Sequence, residues 1–313
     1  PAGRNFIGIL RFSFYANRHL ESWIRKEKID LVQAYGGPGG VFLLRKPSVP
    51  LIYIANHTYD QQFNFLARRP YYTVLKRLEH TGYRNANAIV AISTTTRKNL
   101  VQVYEVPPDS ITVIPPGLSE DRFTLGNVAR TDNEILYVGR LDARKGLDFL
   151  ITAFAEVVRH NAKAILKIAG TGKLKNKLQQ LATNLGIFER VVFLGKVSDV
   201  DLKVLYQSAA IFVLPSKFEG FGIVLTEAMA CGTPVVGTDV PGIIDIVEEG
   251  HGRLVEQGNT RQLADMLRNM LNNRSLRSAM GKKARKMAME NYHISIISRK
   301  FTSLYGTIMS KAT

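Results

Sequence analysis

Short apolar runs of strand length alternate with helical patterns along nearly the whole chain, and this alternation restricts the fold more than any other feature. In the first part, strands are predicted over residues 30–34, 51–55, 88–92 and 111–114, with helical spacing over 13–28, 71–80 and 95–104. In the second part, strands are predicted over 135–138, 164–169, 191–194, 211–214, 235–238 and 253–255. Helices are predicted there over 147–159, 174–185, 199–207, 222–230, 260–272, 275–291 and 294–310. Strands joined through helices pair in parallel and are covered on both faces. The fold class expected is therefore α/β, with two doubly wound, Rossmann-like domains. A polar, turn-rich stretch over 115–133 separates the two sets, and a length of 313 residues suits two domains.

One block carries most of the chemistry. Ile211-Phe212-Val213-Leu214 is an apolar run ending at Pro215, and the spacing of Val224, Leu225, Ala228 and Met229 is helical. Glu219 thus sits on a strand-to-helix loop. Gly220 and Gly222 let backbone N–H groups crowd a ligand, and a helix N-terminus with bare N–H groups suits anions and hydroxyls. Glu227, eight positions after Glu219, lies about a turn and a half into the helix and can face the same crevice.

The whole block, from Phe218-Glu219-Gly220-Phe221-Gly222-Ile223 through Glu227-Ala228-Met229-Ala230-Cys231-Gly232-Thr233-Pro234-Val235-Val236, resembles the signature of the family 4 retaining nucleotide-sugar glycosyltransferases. That resemblance implies a B-type glycosyltransferase fold, with a ligand in a cleft between two doubly wound domains at the C-terminal ends of their strands. It also implies domain limits of 1–128 for an acceptor-side domain, 129–293 for a donor-binding domain, and a last helix over 294–313 that returns to the first. The family opens with a strand, a Gly-rich loop and a helix. The likeness here begins part-way through the first domain, so that domain is expected to be incomplete. The loop Gly36-Gly37-Pro38-Gly39-Gly40 reads as a turn and not as a substitute for that Gly-rich loop.

Further motifs match residue by residue. Val138-Gly139-Arg140-Leu141-Asp142-Ala143-Arg144-Lys145-Gly146 presents cations after a strand; Arg supplies a planar fork and Lys a point charge for phosphate oxygens. The resemblance implies that Arg140 and Lys145 hold the donor diphosphate. It implies close packing beside the nucleotide at Gly172, in Ala169-Gly170-Thr171-Gly172, and contacts to the base near Val197. It gives Glu219 and the N–H groups of Gly220, Phe221, Gly222 and Ile223 to the sugar, and Glu227 to the ribose. His57, after Ile52-Tyr53-Ile54-Ala55-Asn56, matches a histidine that faces the donor sugar. Glu219 and His57 are the expected catalytic residues. On that division of roles, Glu219→Gln leaves nucleotide affinity nearly intact. The sequence departs from the family at Pro116, where Asn is usual, and at Pro241-Gly242 and Asp245, where Gly-Gly and Glu are common.

Asp199-Val200-Asp201 could pass for a metal signature, but Ser198 as an N-cap with acids in the first turn explains it. The six histidines show no ligand spacing. No metal and no cofactor are expected, and the chemical step is expected to be metal-independent. The donor is expected to be a UDP-, GDP- or ADP-sugar, and the acceptor a glycan or lipid-linked hydroxyl. Two alternatives stay open: a nucleotide-sugar epimerase or phosphorylase on the same architecture, and a basic binding protein without a complete site.

Composition bears on location. The net charge of +16 calls for an anionic partner, with scattered cations such as Arg25, Lys26, Lys282, Lys283, Arg285 and Lys286. Nucleotide diphosphates and an anionic membrane surface are the expected partners; nucleic acid is not. Phe12, Phe14, Tyr15 and Trp23 lie beside Arg11, Arg18, Arg25 and Lys26 in the first helical pattern, which suits either a membrane-facing surface or a core face. One cysteine, Cys231, excludes an intrachain disulfide. No apolar stretch reaches the roughly 18 residues of a membrane span, and Arg11 interrupts the one run that could begin a signal peptide. The expected location is cytoplasmic, at the inner face of the membrane.

Overall fold

A computed structural model describes residues 2–63, 71–119, 123, 126 and 128–311. It is an α/β structure with two parallel sheets. The chain divides into two compact units, Pro1–Pro116 with Ile297–Thr313, and Gly117–Ile296. The polar stretch at 115–133 lies partly outside the described residues.

The first unit holds a four-stranded sheet: β1 (Val32–Gly36), β2 (Leu51–Ala55), β3 (Ala88–Ala91) and β4 (Ile111–Val113). They lie in the order β1-β2-β3-β4, all parallel. Every residue of β2 and β3 is buried, as expected for interior strands covered on both faces. Tyr53, Ile89, Leu100, Tyr83 and Tyr104 form the centre of the core. Helix Thr94–Tyr104 starts because Ser93 caps it, accepting the Thr96 N–H on its hydroxyl.

The first helix spans Ala2–Glu27, well beyond the predicted 13–28. It runs through Gly8, since one glycine costs about 1 kcal/mol against alanine and does not by itself end a helix. Ser13, Ala16 and Ile24 are buried on it, whereas Ile7, Phe12, Phe14 and Tyr15 are exposed. Those three aromatics are therefore not core residues. The last helix, Ile294–Ser310, continues into the segment grouped with this unit, where the Tyr305 hydroxyl donates to Gln33 Oε1 at 2.5 Å.

The second unit holds a six-stranded parallel sheet. Its strands are β5 (Glu134–Val138), β6 (Ile165–Ala169), β7 (Val191–Gly195), β8 (Ile211–Leu214), β9 (Val235–Thr238) and β10 (Gly252–Val255). The order is β10-β9-β8-β5-β6-β7. The direction of strand addition reverses between β8 and β5, where Ile135 stands opposite Ile211 and Leu136 opposite Phe212.

Part of the positive charge is internal to this unit. Arg130 donates to the carbonyls of Ala209 (2.6 Å) and Cys231 (3.1 Å), and Arg285 to that of Ala230. Buried Arg277 donates to Met270 O (2.7 Å) and Leu271 O (2.5 Å), and its other Nη pairs with Asp132 Oδ1 at 2.5 Å. These carbonyls lie at the C-terminal ends of helices Asp199–Ser208, Ile223–Ala230 and Thr260–Asn272. Helix C-termini carry partial negative charge, so these three arginines are neutralised by the fold. Arg285 is thus half-buried structural charge, not part of a solvated basic face. Among the described residues, no helix is long and apolar enough to cross a membrane.

Candidate active site

Strands β5 and β8 are neighbours at the point of reversal, so the loops leaving their C-terminal ends meet there, which is where open α/β sheets bind ligands. Residues 139–145 leave β5, and residues 215–222 leave β8. Asp142 shapes the first loop: its Oδ1 accepts the Arg144 N–H at 3.1 Å, and its carbonyl accepts the Lys145 N–H at 3.1 Å. Gly146 then turns the chain into helix Leu147–His160 with φ +64. A Cβ at Gly146 would lie 2.0 Å from the Pro215 carbonyl, so only glycine lets the Lys145 turn press against the end of β8. The Lys217 N–H donates to Arg144 O at 2.8 Å and ties the two loops together.

The result is a buried ion pair. Lys145 Nζ lies 2.5 Å from Glu219 Oε1, with the side chains 11% and 7% exposed. The Ser216 hydroxyl donates to the same oxygen at 2.7 Å, and the Thr238 hydroxyl donates to the Ser216 carbonyl at 2.5 Å. Glu219 and Lys145 are 74 residues apart in sequence. Arg140 takes a different place on the turn. Its side chain is largely exposed and stands 3.4 Å from Asp142 Oδ2. Beneath it, the Tyr137 hydroxyl donates to the Arg140 carbonyl at 3.0 Å. Burial, reinforced by the charges of Glu219 and Asp142, pushes the Tyr137 hydroxyl well above its ordinary pKa.

Glu227 is buried on helix Ile223–Ala230, where Oε2 accepts the Tyr206 hydroxyl at 2.8 Å. Gly222 caps this helix with φ +90, and Ile223, its first residue, is exposed. Gly220 is half-buried. The Phe221 ring is buried edge-on against Tyr292, with centroids 5.4 Å apart, so its side chain belongs to the core. Gly172 lies over the Leu141 backbone, where a Cβ would come within 2.3 Å of the Leu141 carbonyl. Val197 is half-buried after β7. Ser198 caps helix Asp199–Ser208 by accepting the Asp201 N–H, and its hydroxyl donates to Asp201 Oδ2. Among the described residues, no group of three His, Cys, Asp or Glu side chains stands together to hold a metal ion.

His57 belongs to the first unit, half-buried just beyond the C-terminal end of β2. The structure thus brings Lys145, Glu219 and Ser216 into contact, with Arg140 on the same turn as Lys145 and Glu227 on the helix that follows. Sequence reasoning did not find Ser216, Tyr206 or Tyr137. Tyr206 reaches Glu227 across two helices, and Ser216 and Tyr137 meet Glu219 and Arg140 three positions on only because the loops after β8 and β5 fold back, so no hydrophobic spacing marks them.

Comparison with known proteins adds to this geometry. A model described as glycosyl transferases group 1 matches residues 121–287, and one described as glycosyltransferase family 4 matches residues 3–122. An uncharacterized glycosyltransferase of Methanocaldococcus jannaschii is 32% identical over 247 residues, spanning 74% of this chain and 63% of that protein. Among solved structures, sucrose-phosphate synthase of Thermosynechococcus elongatus superposes with a TM-score of 0.83 at 21% identity, over 99% of this chain and 80% of that one. HepE of Anabaena, solved with UDP-glucose, superposes with a TM-score of 0.72 at 22% identity, over 83% and 72%. At such identities these two likenesses concern the fold, the B-type glycosyltransferase fold. With the group 1 model covering more than half of it, the chain belongs to the group 1 glycosyltransferases of family 4.

Proposed function

We propose that this chain transfers a glycosyl group from a nucleotide-diphosphate sugar to an acceptor hydroxyl, with retention of configuration. The observation that carries the reading is the buried Lys145–Glu219 pair at the reversal point of the donor-side sheet. A cation and a carboxylate there supply one group for a phosphate and one for sugar hydroxyls within a single contact. Arg140, exposed on the same turn, adds a second cation for the diphosphate. Glu227 accepts hydrogen bonds from the ribose. Gly172 and Val197 flank the nucleotide, and the N–H groups of 220–223 and His57 orient the sugar. HepE, solved with UDP-glucose, makes UDP-glucose the first donor to test.

The chemistry balances without a protein nucleophile. The bond between the anomeric carbon and the diphosphate oxygen breaks, and that carbon bonds to the acceptor oxygen on the same face. The acceptor proton passes to the departing phosphate oxygen. Lys145 and Arg140 stabilise the charge that develops on that phosphate. No protein-bound metal or cofactor is assigned to the step. The acceptor class is a glycan or a lipid-linked hydroxyl. The exposed Ile7, Phe12, Phe14 and Tyr15, interleaved with Arg11 and Arg18, support docking of the first helix on an anionic membrane surface where such an acceptor resides.

The test uses donor hydrolysis, because a transferase without acceptor leaks sugar to water. Release of nucleoside diphosphate is measured from UDP-glucose, GDP-mannose and ADP-glucose, with the wild type and Lys145→Ala. Release from one donor, lost in Lys145→Ala, is expected. If none is hydrolysed, and calorimetry detects no binding of UDP, GDP or ADP, the reading is wrong.

A further inference from the structure

The segment 57–59 leaves β2 and is held from two sides within the first unit. On one side stands the Gly36–Gly40 turn, the glycine-rich loop with no assigned role. Gly37 there has φ +77, and a Cβ on it would lie 2.1 Å from the His57 carbonyl oxygen and 3.6 Å from Glu79 Oε1. Any other residue would both strain the turn and push on His57. On the other side is Glu79, from helix Tyr71–Asn85, with no exposed surface. Its Oε2 accepts the Tyr59 N–H at 3.0 Å and the Tyr104 hydroxyl, and its Oε1 accepts the Tyr83 hydroxyl at 2.9 Å. The Tyr104 oxygen in turn accepts the Asp60 N–H at 3.2 Å. Glu79 therefore grips two consecutive backbone N–H groups just past His57, one directly and one through Tyr104.

No Lys or Arg pairs with Glu79 among the described residues; Lys76, on the same helix, pairs with Asp60 Oδ1 at 2.6 Å. A fully buried carboxylate matched only by three converging donors is costly to keep, and such groups cluster at functional sites. An apolar residue would serve packing alone.

We propose that Glu79 is a positioning residue for His57, and that with Gly37 it clamps the 57–59 turn so that the imidazole is presented in one orientation at the C-terminal end of β2. This rests on the reading that His57 faces the donor sugar.

The clamp also makes the turn sensitive to pH. Burial, helped by the charge of Asp60 and opposed by the hydrogen bonds from Tyr104, Tyr59 N–H and Tyr83, raises the Glu79 carboxyl to about 7. The hydroxyls on it, Tyr83 and Tyr104, and those of nearby Tyr59, in the short helix Tyr59–Phe63, and Tyr53 of β2 are all pushed upward, first by burial and then by the charge of Glu79. They remain donors at neutral pH. The other titratable and charged groups around the turn are His80, edge-on to the Tyr104 ring, Lys76, whose ammonium lies over that ring, and His57 and Asp60 on the turn itself. Because the folded value lies above the ordinary 4.5, the contribution of this group to stability is full below 4.5 and is lost as pH rises through about 7. The fold keeps the charge above that pH at a cost. Below it, the added proton competes with the Tyr59 N–H for the carboxylate, and the turn loosens.

Two readouts test the clamp, one without activity. In the labelled full chain, the Tyr59 amide resonance of the wild type should titrate with a midpoint near 7. The titration should vanish in Glu79→Gln, which keeps an acceptor oxygen but no titrating proton, and persist in His80→Gln. Glu79→Leu should move the His57 ring resonances and lower kcat for hydrolysis of UDP-glucose by about tenfold to a hundredfold, with UDP affinity unchanged. Glu79→Gln should restore kcat while removing its acid limb. A Tyr59 amide that is flat in the wild type overturns the proposal. So does wild-type kcat in Glu79→Leu, or an acid limb unchanged in Glu79→Gln, which decides the matter even if Glu79→Leu does not fold. Full turnover in His57→Ala with the Tyr59 titration intact refutes the role of His57 and not the clamp. Failure to bind any nucleoside diphosphate refutes the donor reading separately.

Discussion

In the structure Glu219 already engages Lys145, so if Lys145 holds the donor diphosphate, as proposed, the phosphate must share it. At 2.5 Å the pair attracts by about 7 kcal/mol at an effective dielectric of 20, before desolvation. A phosphate oxygen on the far side of the ammonium would stand about 5 Å from the carboxylate and be repelled by about 3 kcal/mol on the same scale. Glu219→Gln removes that repulsion and keeps an amide oxygen for Ser216 and Lys145. Allowing for solvent and relaxation, we predict that Glu219→Gln tightens UDP binding by about 1–2 kcal/mol, roughly 5- to 30-fold, while donor turnover falls. Sequence motifs alone lead to a different expectation, that nucleotide affinity is unchanged. Lys145→Ala should weaken UDP by about 2–3 kcal/mol, as for a charge-assisted contact. Its cost should grow in the Glu219→Gln background, where the ammonium belongs wholly to the phosphate. The interaction term of the double-mutant cycle should be about 0.5–3 kcal/mol. Glu227→Gln serves as the control: on the proposed ribose role it should weaken UDP by about 1.5–3 kcal/mol. Calorimetric titration of UDP into the four proteins of the cycle and the control measures all of these. If Glu219→Gln and Lys145→Ala weaken UDP equally, the competition does not exist and the reasoning fails.

The remaining predictions concern stability and surface. Arg277→Met should lower unfolding free energy by about 1–3 kcal/mol, because it strands two helix-terminal carbonyls, whereas half-exposed Asp132 keeps Arg274 at 3.7 Å; a urea midpoint equal to wild type would show that these contacts carry no weight. Burial lowers the His251 pKa from 6.5 despite nearby Glu248, so its neutral form stabilises the fold above 6.5 and that stability is lost as pH falls through the lower folded value. His251→Gln should flatten this acid decline in thermal unfolding; an identical decline in both proteins would assign it elsewhere. Co-sedimentation with anionic vesicles should be strong at low salt, fade as salt rises, and drop in Phe12→Ser/Phe14→Ser; equal behaviour with neutral vesicles would remove the membrane-docking reading.

The sequence by itself determined the fold class and nearly every element of it. Strands β2, β8 and β9 and helix Thr260–Asn272 occupy the residues their patterns predict, because short apolar runs and 3.6-fold periodicity are local properties of the chain. The family motifs around Arg140–Lys145 and Glu219–Glu227 were legible for the same reason: each lies on one loop or one helix. The length of the first helix was not legible, since its N-terminal half presents exposed apolar residues that form no core face. Nor was the direction of the Phe221 ring, which follows Tyr292, 71 positions on, into the core. Only the tertiary structure decided the rest. It placed β5 beside β8 and so put Lys145 on Glu219, and it turned Arg277, Arg130 and Arg285 inward onto helix ends. It also closed Gly37 and Glu79 around the turn that follows β2. Most of these partners are remote in sequence, Lys145 and Glu219 by 74 positions and Arg277 and Asp132 by 145, and strand order and helix packing bring them together.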